Sequence, residues 1–382
     1  MSVAPPTLRG FHVTRGRFGG TVALCSEGAC VLGRRDILAG AAALAVAGRA
    51  SAREAGDRRN AAIDAFLATQ PFQGVILLGR AGKPVFSRAI GMADIEARRP
   101  ATVETPYAIA SISKWLTSIG LLRLAQAGQV DLDAPILRYL PDYRADTGAK
   151  VTLRHLMSNM SGVPNGFVPA AKADPDIFRK SFSTAEAVRM FCSGDLAFAP
   201  GAQFDYAPTN WIIITAIIEV VTGKPYAQAM SELVTAPLGL AHTTPTEPPG
   251  VAASYRTIQP PVRQPFDRFA SMAASGGYVS TAGDLLTAAH RVFDGDVLPP
   301  ARKRELLTVV CPEQDYALGG RSKILFVDGT PRVFAWETGR AAGYRSVLGH
   351  RFDDQSTVVL LCNTSVTQRA MDELAYALVG AA

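Results

Sequence analysis

Apolar and polar positions along this chain follow a strand-like texture, then helical spacing, then a strand-like texture again. Gly74-Val-Ile-Leu-Leu-Gly79 is a short apolar run and Val85–Ile90 a mixed one. Ala81-Gly82-Lys83-Pro84 between them has turn chemistry, so the two predict adjacent strands. A short helix over Ala61–Ala68 is expected before them. From Ser111 to Ala127, Ile112, Trp115, Leu116, Ile119 and Leu122 recur at helical spacing. Leu121 and Leu124 widen that stripe, and Gly128 ends the helix. Residues 130–240 continue in helical patterns broken by loops, among them the apolar run Trp211–Val221. Thr243–Pro265 is Pro-rich and has no period, which predicts a long surface loop bordering a site. Strands return at Lys323–Val327, Arg332–Trp336, Tyr344–Leu348 and Ser356–Leu361, and a helix over Val366–Val379 follows.

Strands therefore come from both chain ends. That arrangement predicts an α+β fold: one antiparallel sheet closed by the two termini, flanked by helices, with an all-α insertion over roughly residues 130–270. A chain of 382 residues, 48% hydrophobic and 19% charged, is long enough for one large core or two subdomains.

The front of the chain reads differently. Arg34-Arg35-Asp36-Ile37-Leu38, an apolar stretch to Ala47 and Ala50-Ser51-Ala52 together resemble a twin-arginine export signal. Ile37–Ala47 is too short to span a bilayer, which takes about 20 residues. Residues 1–52 are read as a leader and 53–382 as the working domain, so a periplasmic or secreted location is expected. The leader holds six of the 39 basic residues and two of the 33 acidic ones, so the remainder is close to neutral. With no basic stripe left, nucleic acid is not an expected partner. Cys192, Cys311 and Cys362 are isolated, and no C-x-x-C or H-x-x-x-H spacing suggests a metal. One disulfide or three buried thiols both remain open.

The chemistry lies in Ser111-Ile112-Ser113-Lys114. Residues three apart share a helical face, so a serine hydroxyl would stand beside a lysine amine. A serine needs an adjacent base to become a good nucleophile, and a desolvated lysine can serve. Alone, the pattern is close to a chance match; four later stretches change its weight.

Those stretches follow it in order: Val151-Thr-Leu-Arg-His-Leu-Met-Ser-Asn-Met-Ser-Gly-Val-Pro164, then Phe204-Asp-Tyr-Ala-Pro-Thr-Asn-Trp211, then Ser275-Gly-Gly-Tyr-Val-Ser-Thr-Ala-Gly-Asp284, and finally Trp336-Glu-Thr-Gly-Arg340. Together with Thr105–Thr117 the set resembles the serine β-lactamase and penicillin-binding-protein family, especially its class C, D-aminopeptidase and esterase branches. The resemblance covers roughly residues 60–380.

It implies a β-lactamase/transpeptidase-like fold and a cofactor-free acyl-enzyme mechanism. Ser111 would be the nucleophile, Lys114 its base and Tyr206 a proton-transfer phenol. The backbone N–H groups of Ser111 and Arg340 would form the oxyanion hole. Thr338, Gly339 and Glu337 would line the substrate strand. Two positions depart from the family pattern: Pro208 stands where the Tyr-x-Asn asparagine belongs, and Glu337 stands where a Lys or His precedes Thr-Gly. Asn210, two residues beyond Pro208, is the candidate replacement. A glutamate at 337 is hostile to a substrate carboxylate unless protonated or paired.

The expected substrate is thus a small ester or amide rather than a β-lactam. A D-amino-acid peptidase, a carboxypeptidase or β-lactamase acting on cell-wall material, and a non-catalytic binding protein are the alternatives. His155, His242, His290 and His350 are read as structural or surface residues, Ser161 as a turn residue, Ser113 as non-catalytic, and Trp115, Trp211 and Trp336 as core.

Overall fold

The computed structural model describes Glu54 and residues 56–174, 176, 177, 180, 182–266 and 270–380. The export signal read at residues 34–52 lies outside them. Arg58–Ala382 forms one compact unit, and it holds the sheet, the helical core and the site.

Its frame is a six-stranded antiparallel sheet. Helix α1 (56–69) leads into β1 (Gly74–Arg80) and β2 (Lys83–Ile90). Near the other end, β3 (Arg321–Val327), β4 (Thr330–Ala341), β5 (Tyr344–Arg351) and β6 (Ser356–Cys362) form a meander. The strand order is β2-β1-β6-β5-β4-β3, so the two chain ends meet where Gly74 pairs with Cys362 and Arg80 with Ser356. The sheet built from both ends is therefore present.

Alternation along each strand sorts the side chains into two cores. Ile76, Phe334, Trp336, Val347, Val358 and Leu360 face Ile63 of α1 and Met371 and Leu374 of helix α5 (Gln368–Leu378). Val75, Leu77, Ala335, Leu348, Val359 and Leu361 face the larger helical core. That core is centred on α2 (Ile112–Gln126), α3 (Pro208–Thr222) and α4 (Ala282–Phe293). Helix α2 is buried along nearly its whole length, with Ile112, Leu116, Ile119, Leu121 and Leu122 at 0% exposure. Its stripe of apolar positions is thus only part of an all-round contact, as expected of a central helix.

Two expectations need revision. The stretch Thr243–Pro265 is not a bare loop: Tyr255–Ile258 and Pro261–Arg263 pair as a short hairpin, and Tyr255 is fully buried. The insertion over 130–270 is therefore helical with a hairpin, not all-α. Strand β4 also outruns the expected Arg332–Trp336 by five residues, carrying Glu337–Ala341 on the sheet itself. Cys192, Cys311 and Cys362 are free and buried. Among the described residues no helix is long and apolar enough to cross a membrane.

Candidate active site

Ser111 occupies the position just before the first turn of α2. The chain reaches it through Ala110, whose φ of +46° is left-handed. An alanine there carries a local cost of about 1–2 kcal/mol, which the surroundings must offset. They do so with hydrogen bonds. Ser113 Oγ donates to the Ala110 carbonyl at 2.6 Å and accepts from Tyr278 N–H at 3.1 Å. Ser346 Oγ of β5 donates to the Ile109 carbonyl at 2.9 Å, and Ile109 N–H donates to Tyr278 O at 2.9 Å. Ser113 is thus a fastener of the nucleophile turn.

Lys114 is 4% exposed, and its Nζ lies 3.1 Å from Ser111 Oγ. The same nitrogen donates a short hydrogen bond to the Ser275 carbonyl. It stands 4.7 Å from the centre of the Tyr206 ring and 5.7 Å from that of Trp211. Among the described residues no carboxylate pairs with it. Two of its amine positions are therefore occupied by oxygen acceptors, one of them the Ser111 hydroxyl, and the walls are aromatic.

Tyr206 is 41% exposed and lies two residues ahead of α3. Its ring rests edge-on against Tyr316 at 6.2 Å between centroids and near Phe204 at 6.4 Å. Its hydroxyl makes no hydrogen bond to Ser111 or Lys114. Pro208 occupies the first position of α3, where a missing N–H costs nothing. Asn210 is buried: its Oδ1 accepts from Ser161 Oγ, and its Nδ2 donates to Asn159 Oδ1 at 3.2 Å. Trp211 Nε1 donates to that same Asn159 oxygen at 3.3 Å. The structure therefore brings Ser111, Lys114 and Tyr206 together and directs the Asn210 amide toward Asn159 and Ser161.

Strand β4 supplies the opposite wall. Its pairing with β3 ends at Trp336–Arg321, so Glu337–Ala341 have an open edge. Backbone groups alternate sides in an antiparallel ladder. The Val333 carbonyl accepts from Phe352 on the β5 side, so odd-numbered residues of β4 face β5. Thr338 and Arg340 consequently aim their N–H groups at the open edge. Gly339 explains how close that edge comes: a Cβ there would sit 2.1 Å from the Ile109 carbonyl and 3.1 Å from Ala110 Cβ. The Arg340 N–H and the unpaired Ser111 N–H thus belong to adjoining segments, the arrangement an oxyanion hole requires. The Thr338 side chain is half-buried beside them.

Glu337 points the other way, into the interior. A Cβ on Gly320 would lie 1.8 Å from its Oε1, so the Gly319–Gly320 turn covers the carboxyl directly. Burial drives its pKa well above the ordinary carboxylate range, only partly offset by Arg321. Burial thus favours the protonated form of this carboxyl beneath the cleft. It presents neither a cation nor an exposed anion to a substrate.

Tyr316 escaped the sequence reading. It is buried among Phe204, Tyr206 and the Arg321 guanidinium, and burial raises its pKa further. No local pattern marks it, because its ring contacts with Phe204 and Tyr206 join segments more than 100 residues apart. His155 caps a short helix through Thr152, His290 and His350 sit around Asp294, and Trp115, Trp211 and Trp336 are core.

Several known proteins resemble this chain. Esterase EstB of Burkholderia gladioli is 34% identical over 221 residues, 54% of this chain and 56% of its own length. The human mitochondrial serine beta-lactamase-like protein LACTB is 28% identical over 284 residues, 56% of this chain and 52% of its own. The chain thus spans about half the length of these curated relatives. Among solved structures, the octameric penicillin-binding protein homologue of Pyrococcus abyssi has a TM-score of 0.72 at 24% identity, covering 84% of this chain and 77% of that one. The D-amino acid amidase of Ochrobactrum anthropi has a TM-score of 0.70 at 24% identity, covering 85% and 98%. Both share the fold. The Beta-lactamase family model matches residues 59–382, and the chain belongs to that family.

Proposed function

We propose that this protein is a serine hydrolase that forms an acyl-enzyme on Ser111 and acts on small neutral esters or amides. The observation that carries the reading is the 3.1 Å approach of a buried, carboxylate-free Lys114 amine to Ser111 Oγ, beside the open edge of β4. Lys114 Nζ takes the proton as Oγ attacks the substrate carbonyl. The developing oxyanion is held by the N–H groups of Ser111 and Arg340. Collapse breaks the bond to the alcohol or amine, which leaves with a proton returned through Lys114 and Tyr206. Water then attacks the acyl-Ser111 ester by the same proton route, releasing the acid and restoring the serine.

The buried carboxyl of Glu337 supports uncharged substrates, since position 337 offers no cation to hold a carboxylate. The likeness to an esterase over half the chain points the same way. Intact-mass measurement after incubation with a fluorophosphonate tests the reading. One adduct on the wild type and none on Ser111→Ala is expected; no adduct on the wild type would favour a binding protein. Nitrocefin turnover faster than that of p-nitrophenyl esters would overturn the substrate class.

The leader reading extends the proposal to export through a twin-arginine route. Fractionation of cells expressing the full chain, beside an Arg34→Lys/Arg35→Lys variant, is expected to move the protein from outside the cytoplasm to inside it. An unchanged distribution would reject that route.

A further inference from the structure

The sequence protects the two edges of the sheet differently. Edge strand β2 opens with Lys83-Pro84 and pairs its Arg88 with Asp64. A proline without an N–H and charged side chains are usual defences against a docking strand. Edge strand β3 has no proline, and its two charges are turned back onto the fold, Lys323 to the Tyr376 hydroxyl at 3.0 Å and Arg321 over the Tyr316 ring. Ile324 and Phe326 are 67% and 62% exposed, and Val333, directly across from Ile324 on β4, is 52% exposed. Apolar residues gathered on a free edge mark a site of association.

The backbone agrees. Even-numbered residues of β4 face β3, so odd-numbered residues of β3 face back, and Ser322, Ile324 and Phe326 point their N–H and C=O groups outward. Ser322 N–H is already taken by the Asp315 carbonyl at 3.0 Å. Ile324 and Phe326 are left facing open space.

We propose that β3 is a self-complementary docking edge on which a second copy of this chain lays its own β3 antiparallel, fusing two six-stranded sheets about a two-fold axis. Outward residues must oppose outward residues, which leaves few registers. Setting Ile324 opposite Ile324 requires Ser322, which is occupied. Setting Phe326 opposite Phe326 places Ile324 against the charged Asp328. Ile324 opposite the partner copy's Phe326 uses both free residues twice, with Leu325 on the axis. The charges fit as well: the strand starts at Arg321 and Lys323 and Asp328 follows its last residue, so antiparallel docking sets the basic end of each strand near the acidic turn of the other. Such isologous pairing is the commonest route to a closed dimer.

Sedimentation of the full chain over a wide concentration range tests this. The wild type is expected to approach twice the mass of one chain, while Ile324→Lys and Phe326→Lys stay at one chain with ester hydrolysis per protein unchanged. Phe326→Thr, which keeps strand propensity, is expected to raise the dimer Kd by about tenfold or more. Leu325→Cys is expected to form an intermolecular disulfide under mild oxidation, reporting the register. A single-chain mass at every concentration, or a dimer that survives both lysine variants, overturns the proposal. So does binding to anionic vesicles that is lost in the lysine variants while the mass remains that of one chain, since the patch would then serve a lipid surface.

Discussion

Around Ser111 the chain is fastened from several sides, whereas around Pro208 and Glu337 it leaves the cleft bare. On the nucleophile wall, Ser113, Ser346 and Tyr278 hold the left-handed turn at Ala110, and Ser275 anchors the lysine. On the facing wall, Asn210 turns to Asn159 and Ser161, and Glu337 lies under Gly320. The difference separates two tasks. Activating a serine and holding an oxyanion rest on backbone positions and one buried amine, which this chain keeps. Reading a substrate's charge rests on side chains entering the cleft, and here those have been turned inward. A family member can change substrate on the second wall without disturbing the first.

Replacing the lysine should give the largest effect and separates the walls most sharply. Lys114→Met removes the proposed base but keeps a side chain of similar length, and loss of a positioned general base costs about 10²–10⁴-fold in rate. Stability should change little, because a buried polar amine and its desolvation cost are removed together with the bond to Ser275. The expected outcome is p-nitrophenyl ester hydrolysis reduced by about 10³-fold with a melting temperature close to wild type. If hydrolysis survives, Lys114 is not the base and the nucleophile wall works otherwise.

Gly339→Ala strikes where the walls meet. The new Cβ would stand 2.1 Å from the Ile109 carbonyl and 2.3 Å from Ser346 Oγ, so β4 must withdraw from the serine turn. A shift on the order of 1 Å in a group that stabilises the transition state costs about 10²-fold. The loss should fall on kcat, with KM changed far less, because the Arg340 N–H is proposed to act on the oxyanion. Stopped-flow acylation would read it. An equal loss in KM would place Gly339 in ground-state binding instead.

These walls were legible in the sequence to different degrees. The Ser111–Lys114 face follows from local spacing, and an apolar stripe marks its helix, so a reading by period finds both. The joining of both chain ends in one sheet followed from texture at Gly74–Gly79 and Ser356–Leu361. The direction of the Asn210 side chain did not, because it depends on Asn159, which adopts φ of +55° some 50 residues earlier. The extension of β4 through Glu337-Thr338-Gly339-Arg340 came only from the family resemblance, because a charge and a glycine interrupt the strand pattern. The hairpin at Tyr255–Arg263 was hidden by its prolines and by strands of only three or four residues. Tyr316 has no local signal, since ring contacts with Phe204 and Tyr206 come entirely from the fold.

The smallest effect concerns Glu337, and pH makes it measurable. Burial raises its pKa in the folded protein above the value near 4.5 of an exposed glutamate. Between those two values the unfolded chain has released the proton and the folded one still holds it. The folded state then binds more protons, so stability falls as pH rises through that window. Glu337→Gln keeps the shape and removes the titration. The variant should therefore gain on the wild type in melting temperature as pH rises from mildly acidic to mildly alkaline, with little difference below the unfolded pKa. Ester hydrolysis at neutral pH should change by less than about threefold, since the carboxyl faces the Gly319–Gly320 turn and not the cleft. A gap in melting temperature that does not move with pH would mean Glu337 titrates alike in both states. A large loss of hydrolysis would bring its carboxyl back into the substrate wall, and the separation between the two walls would have to be redrawn at that residue.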